Sequence, residues 1–327
     1  MLLLPLSAPA DTEVRFHSYN EVMKYIKANH PADLDIGSVR LKPSDLGRIA
    51  DALAEGGKLS FSSAWCGTVI TEKDELIDLN GSTANVSVSD VETLIRLVPG
   101  VKKIILSRHR NLSNDQMIPI LEKYPEIEFV WLINLGRAYT LSSDATAYST
   151  FKKTSEGKKL KSSDLEVLKY AKDLKALDLG HHEITSLDFL RGLDLEMLIL
   201  AHNKITDISV LAEMPHLQYA ELFMNQITDI SPLAACTELL DLNLTRNNVA
   251  DLTPLDACTH LERLWSSLNK EMTDETKQHF IETHPNCIAN FKNAHPTADG
   301  WRKHSRYPHY ISCLKKHVWI PFSEMNP

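Results

Sequence analysis

One phrase constrains this chain more than any other. From position 174 the pattern L-x-x-L-x-L-x-x-N recurs five times. Leu174-Leu177-Leu179 leads to His182, Leu195-Leu198-Leu200 to Asn203, and Leu217-Ala220-Leu222 to Asn225. Leu239-Leu242-Leu244 then leads to Asn247, and Leu261-Leu264-Ser266 to Asn269. The first anchors are 21, 22, 22 and 22 residues apart, a fixed period that belongs to stacked repeats. Each unit offers one short strand with alternate side chains turned inward. Stacking at about 4.8 Å pairs those strands in parallel. One unit cannot bury its leucines alone, so stability must come from its neighbours.

The polar ladders fit that stack. Asn203, Asn225, Asn247 and Asn269 sit where the chain leaves each strand. An amide there satisfies backbone groups that the turn would otherwise leave buried and unpaired, so the Asn ladder is expected to be structural. Asp207, Asp229 and Asp251 suggest a cation site, but an Asp bonded to its own turn is the commoner arrangement.

The N-terminal half carries a longer unit. Strands are expected at Glu75–Asn80, Val101–Ser107 and Ile127–Asn134, with Leu79, Leu106 and Leu132 spaced 27 and 26 residues apart. Ser18-x-x-Glu21, Ser89-x-x-Glu92, Ser113-x-x-Gln116 and Ser163-x-x-Glu166 read as capping boxes opening helices. Pro119 should kink the third of these. A segment from Leu59-Ser60-Phe61 through Gly67 to Asp74 is echoed by Ile127-Glu128-Phe129 through Gly136 to Asp144. Residues 136–163 break the spacing and read as an inserted loop. Thr273–Thr283 reads as a helix, Cys287–Phe291 as a last strand, and His295–Pro327 as an irregular aromatic cap.

The repeat is that of leucine-rich repeats. Its phrase Ile227–Leu233, Ile-Thr-Asp-Ile-Ser-Pro-Leu, resembles the short repeats of bacterial internalins over about Leu165–Asn269. More of the chain is similar to uncharacterised secreted or lipid-anchored bacterial leucine-rich repeat proteins, through Phe129-Val130-Trp131, Asp144–Thr150, Leu177–His181, Gly300-Trp301-Arg302 and Arg306-Tyr307. The resemblance implies an α/β solenoid, a leucine-rich repeat horseshoe with a parallel concave sheet used for protein recognition. Helical repeats would build its N-terminal half and short 22-residue repeats its C-terminal half. The domains expected are 1–15 as a signal-peptide remnant, 16–135 as strand–helix repeats and 136–163 as the insertion. Short repeats fill 164–272, and 273–327 forms the cap.

Composition narrows the function. The chain has 327 residues, 43% apolar and 24% charged, with a net charge of −8. No basic cluster suited to a phosphate backbone is present, so a nucleic-acid partner is not expected. No run of 18 apolar residues exists, so no membrane span is expected. The stub Met1–Ala10 turns polar at Asp11 like the end of a secretory signal. An extracytoplasmic location, secreted or at the cell surface, is therefore expected, with the cytoplasm as the alternative. Five cysteines are too few for a disulfide scaffold, although Cys236 and Cys258 stack one coil apart, either as core thiols or as a disulfide.

Binding is expected on the concave strands. Residues beside the inward anchors should face out there. They include Asp178, Glu221, Asp241 and Arg263, and the large apolar or aromatic Ile105, Phe129, Trp131, Ile133, Met197, Ile199, Tyr219, Phe223 and Trp265. An exposed patch of this kind marks a partner surface, unless the insertion or the tail covers it. The leading reading is a non-enzymatic protein-binding module, with the partner's identity open. Glycan or cell-wall binding by stacking on Trp131 and Trp265 is the alternative. A hydrolase in the cap comes third, and requires Trp301–Tyr310 to line a pocket with a perturbed acid or base. No catalytic motif and no cofactor signature occurs. His181 and His202 share an edge but lack the further ligands a metal site needs, and His295, His304, His309 and His317 lack ligand spacing.

Overall fold

A computed structural model describes residues 15–81, 84–136, 139–151, 159–292 and 294–325. The expected signal remnant therefore lies almost wholly outside the described residues. The chain divides into two compact units, residues 1–132 and 133–327.

The first unit opens with α1 (Tyr19–Asn29), whose Ser18 side chain accepts the Glu21 N–H at 3.3 Å. Strand β1 (Leu34–Ser38), α2 (Pro43–Asp51), β2 (Leu59–Trp65) and β3 (Thr68–Thr71) follow. β1 and β2 pair in parallel; β2 and β3 form an antiparallel hairpin that turns at Cys66-Gly67. Next come β4 (Leu76–Asp78), α3 (Val88–Leu97), β5 (Lys103–Ile105), α4 (Asn114–Lys123) and β6 (Glu128–Val130). β4, β5 and β6 form a parallel sheet, with Ile77, Ile104 and Phe129 aligned as its inward column. The helix α4 continues through Pro119, and its Gln116 side chain accepts the Ser113 N–H as expected.

Two caps differ from expectation. α3 is capped by Ser87 and Asp90 rather than by Ser89 and Glu92. Both pairs have capping-box spacing, and the earlier one captures the first free N–H groups. Ser163 and Glu166 open no helix; Lys161 N–H bonds Asp164 instead, and two short 3-10 turns follow, Ser162–Asp164 and Glu166–Tyr170.

The second unit opens on a further hairpin, in the segment whose sequence echoes residues 59–74. β7 (Leu132–Asn134) pairs with β8 (Thr140–Ser142) beyond Gly136, and β9 (Ala147–Ser149) then starts a new sheet. β8 and β9 both lie in the stretch expected as an insertion. Aspartates anchor the two equivalent turns: Asp74 accepts from Thr71, and Asp144 from the Ser142 hydroxyl.

Seven parallel strands build the main sheet: β9, β10 (Ala176–Asp178), β11 (Met197–Ile199), β12 (Tyr219–Glu221), β13 (Asp241–Asn243), β14 (Arg263–Trp265) and β15 (Ile288–Asn290). Their register is the one the leucine spacing dictates: Leu177, Leu198, Ala220, Leu242 and Leu264 are partners in turn. All five are fully buried. Short 3-10 turns return the chain behind each strand. α5 (Asp274–Thr283), capped by Thr273, replaces that turn in the last coil.

The Asn ladder works as a zipper. Asn225 Nδ2 donates to Leu200 O and Leu222 O at 3.0 and 2.9 Å, while its Oδ1 accepts the Ile205 N–H at 3.1 Å. Asn203 and Asn247 repeat the set, and Asn269 closes it on Leu244, Ser266 and Val249. Each Asn follows a residue in the left-handed region, His202, Met224, Arg246 or Leu268. Asp207, Asp229 and Asp251 accept from the backbone two residues on, as turn caps. Cys236 and Cys258 are core thiols whose Sγ atoms each lie 3.3 Å from a backbone carbonyl.

His182 holds the Asn position in the first coil. Its Nδ1 accepts the Leu160 N–H at 3.0 Å, so Nε2 carries the proton and donates to Thr150 Oγ1 at 2.7 Å. Burial, and then the neighbouring His181, lower its pKa to about 4. An unfolded histidine titrates at about 6.5. The neutral ring therefore contributes its stability fully above that value and loses it as the pH falls toward 4. His182→Asn should change the urea midpoint little at neutral pH, and at pH 5 should raise it, by an amount equivalent to about 2 kcal/mol of unfolding free energy over the wild type. Equal midpoints at pH 5 would refute this.

Candidate functional site

The expected binding strands do face away from the leucine core, but the chain covers them itself. After β15 the C-terminal segment turns back over the sheet and forms α6 (Arg306–Lys316), a helix within what the sequence suggested was an irregular cap. Trp301, Tyr310, Cys313, Leu314, Trp319 and Phe322 pack against Met197, Ile199, Tyr219, Phe223 and Trp265. Trp301 lies 5.0 Å from Trp265 between ring centroids, and Tyr310 lies 5.0 Å from Tyr219. Large apolar strand positions need a cover in water, and this segment is that cover.

Hydrogen bonds fasten it along its length. Asn243 donates to Pro296 O at 2.7 Å, and Trp265 Nε1 to Ala298 O at 3.0 Å. Arg263 donates to Asp241 at 2.6 Å and to Trp301 O at 3.0 Å, with its guanidinium over the Trp301 ring. Arg306 bonds both Asp241 oxygens and Glu262. At the far end Trp319 reaches Glu196 and Thr146, both at 2.7 Å.

A recess of about 320 Å³ remains between the first coils and α6. Its strand wall is Asp178, Gly180, Ile199, Ala201, Glu221 and Phe223; Tyr307, Tyr310, Ile311 and Leu314 face them, with Tyr139 and Tyr148 at the side. The space follows from residue size. The chain sets Gly180 and Ala201 where later coils carry Phe223 and Thr245.

Two carboxylates form the floor. Glu221 is 2% exposed, and its Oε1 accepts from Trp301 Nε1 at 2.8 Å, from Tyr310 at 3.2 Å and from the Tyr219 hydroxyl. Its Oε2 has no hydrogen-bond partner among the described residues, is not sealed off, and opens on the recess that Glu221 lines. Asp178 accepts from Gly180 N–H at 3.0 Å and from the Ser149 hydroxyl at 2.7 Å. Burial raises its pKa to about 6, against these two hydrogen bonds. Burial also raises the phenols of Tyr148, Tyr219 and Tyr310, so all three stay neutral. Arg302, Lys315, His181 and His317 are exposed and form the rim.

Residues 194–235 and 215–257 match the family model of leucine-rich repeats in two copies. Residues 194–257 are thus leucine-rich repeats. Solved structures similar to it include internalin C2 of Listeria monocytogenes, 19% identical over 79% of this chain and 80% of that one, with a TM-score of 0.31. A second Listeria monocytogenes internalin is 16% identical, covers 86% of both chains and has a TM-score of 0.36. A Leptospira interrogans leucine-rich repeat protein is 13% identical over 79% and 89%, with a TM-score of 0.29. No curated protein matches the chain.

Within the leucine-rich repeats the expected concave columns are correct, and their exposure is not. Asp178, Ile199, Glu221, Asn243 and Trp265 align as one column. They and Met197, Tyr219, Phe223, Asp241 and Arg263 are buried, chiefly beneath the C-terminal segment. In the first unit the expected column was shifted by one residue. Val130, not Trp131, is the partner of Ile105, and Phe129 points inward beside Ile104. Trp131 and Ile133 are also buried; the Ile127–Asn134 strand divides at Trp131 into β6 and β7. Ile105 alone of the expected apolar patch is partly exposed. Glycan stacking on Trp131 and Trp265 has no open ring face to use. His181 and His202 do stack, at 5.0 Å, but no group of three metal-ligating side chains occurs among the described residues. No described helix is long and apolar enough to cross a membrane.

Proposed function

We propose that the protein is a recognition module whose binding site is the recess between the first coils and α6, in place of the whole concave face. Leucine-rich repeat proteins generally serve recognition through that face. Here the C-terminal segment occupies most of it. The observation that carries the reading is Glu221: a buried carboxylate with one oxygen held by three donors and the other left to the recess. A partly open, mainly apolar recess with a few convergent polar groups is what a small ligand, or one projecting group of a partner protein, requires.

The test fills the space. Ala201 is buried against the recess, and Ala201→Phe places a ring inside it. Native mass spectrometry after incubation with an extract of the source cells, proteins included, should show an adduct on the wild type that the variant lacks. The same adduct on both proteins, or none on either, rejects the reading.

Hydrolysis in the same recess is the second reading. Asp178, with its pKa raised to about 6, shares the cavity with Arg302, Tyr307 and Tyr310, the arrangement that reading requires. Recovery of the bound molecule unchanged favours recognition; recovery as cleaved products favours hydrolysis.

A further inference from the structure

The charges around the recess are sorted by depth. Asp178 and Glu221 lie at the floor, 6% and 2% exposed, whereas Arg302 and Lys315 stand exposed at the rim with His181 and His317. Arg302 is held against the Tyr307 ring, 5.7 Å from its centroid, and so stays at the mouth. A carboxylate taken out of water is costly unless a partner compensates it. Glu221 Oε2 has no such partner among the described residues. The neutral faces of Tyr148, Tyr310 and Phe223 line the same space, and aromatic faces attract cations.

We propose that the recess takes a group with an ammonium at one end and an anion at the other. The ammonium lies on Glu221 Oε2, with the Asp178 carboxyl two strands away adding negative charge to the same floor, and the anion meets Arg302 and Lys315. This rests on the recess being the binding site and names the chemistry of what enters it. Two sources carry that chemistry: a free ω-amino acid, and a protein chain ending in lysine, whose ε-ammonium and terminal carboxylate have the same spacing as ε-aminocaproate.

Calorimetry with ε-aminocaproate tests it, with caproate and hexylamine as controls that each lack one charge. The zwitterion should bind about tenfold or more tightly than either control. Glu221→Gln should weaken it by about ten- to hundredfold. Arg302→Gln alters only an exposed rim residue, so folding is not at risk. It should weaken ε-aminocaproate by several-fold and leave hexylamine unchanged. A short peptide with a C-terminal lysine, compared with its amidated form, separates the sources: free-acid peptide binding above that of ε-aminocaproate assigns a protein terminus, and absent peptide binding assigns the free amino acid. Equal binding of zwitterion and controls, or none of any, overturns the proposal. If the extract yields a neutral sugar that Ala201→Phe excludes, the recess stands and this inference fails.

Discussion

Replacing Asp241 by alanine is expected to unfasten the C-terminal segment and cost about 3–5 kcal/mol. Asp241 is fully buried and is the shared acceptor of Arg263 from the sheet and Arg306 from α6. The side chain of Arg263 is 5% exposed. Without Asp241 its guanidinium keeps only Trp301 O and the Trp301 ring, and remains a buried charge without a counter-ion. Arg306 retains Glu262, whose side chain is 52% exposed and so a weaker partner. Opening the cover relieves that strain by returning both cations to water. Urea unfolding followed by tryptophan fluorescence should show an early transition as Trp265, Trp301 and Trp319 become wet. Limited proteolysis should cut between Lys292 and Lys303 well before the repeats. Added salt should change the wild type little, because buried pairs are poorly screened. A variant with wild-type stability and protection would show that apolar packing alone holds the segment.

The fold was most legible where it repeats. Spacing of 21 and then 22 residues sets the register of β10 to β14 because a slip of one residue would turn every leucine to the wrong face. The same logic misled at β6. Leu132 copied the spacing of Leu79 and Leu106, yet Phe129 aligns with Ile104 and Ile77, and the longer unit is too irregular for spacing alone to decide. Chain order likewise hides the C-terminal cover. Trp301 meets Glu221 and Trp319 meets Thr146 across long stretches of sequence with no local pattern to announce the pairing. Pro308 near the start of α6, amid His304, His309 and Tyr307, also obscured its helical period. A signal for the recess was present in the size of residues rather than in their chemistry. Gly180 and Ala201 are small in a column that later holds Phe223. Charged residues on a face otherwise aromatic, Asp178 and Glu221 among them, marked the same place; only the cover of α6 turns them into a floor.

The Asn ladder should be the least forgiving element of the repeat stack, and Asn225→Ala at its centre is expected to cost about 3–4 kcal/mol. Three hydrogen bonds disappear, each worth roughly 1 kcal/mol net. The losses are unequal. Leu200 O still accepts from Asn203, and Leu222 O from Asn247, so both carbonyls keep a donor. Ile205 N–H loses Asn225 Oδ1 and is left buried without its acceptor, a penalty of about 1–3 kcal/mol by itself. Asn225→Asp should be no better than alanine. A carboxylate still accepts from Ile205 but turns its second oxygen toward two carbonyls, to which it has no proton to donate at neutral pH. Because each coil relies on its neighbours, the damage should spread: hydrogen exchange of the amides in β11, β12 and β13 should quicken together. If only Ile205 exchanged faster, the zipper would be a set of separate turn caps, and the coils would owe their registry to the leucines alone.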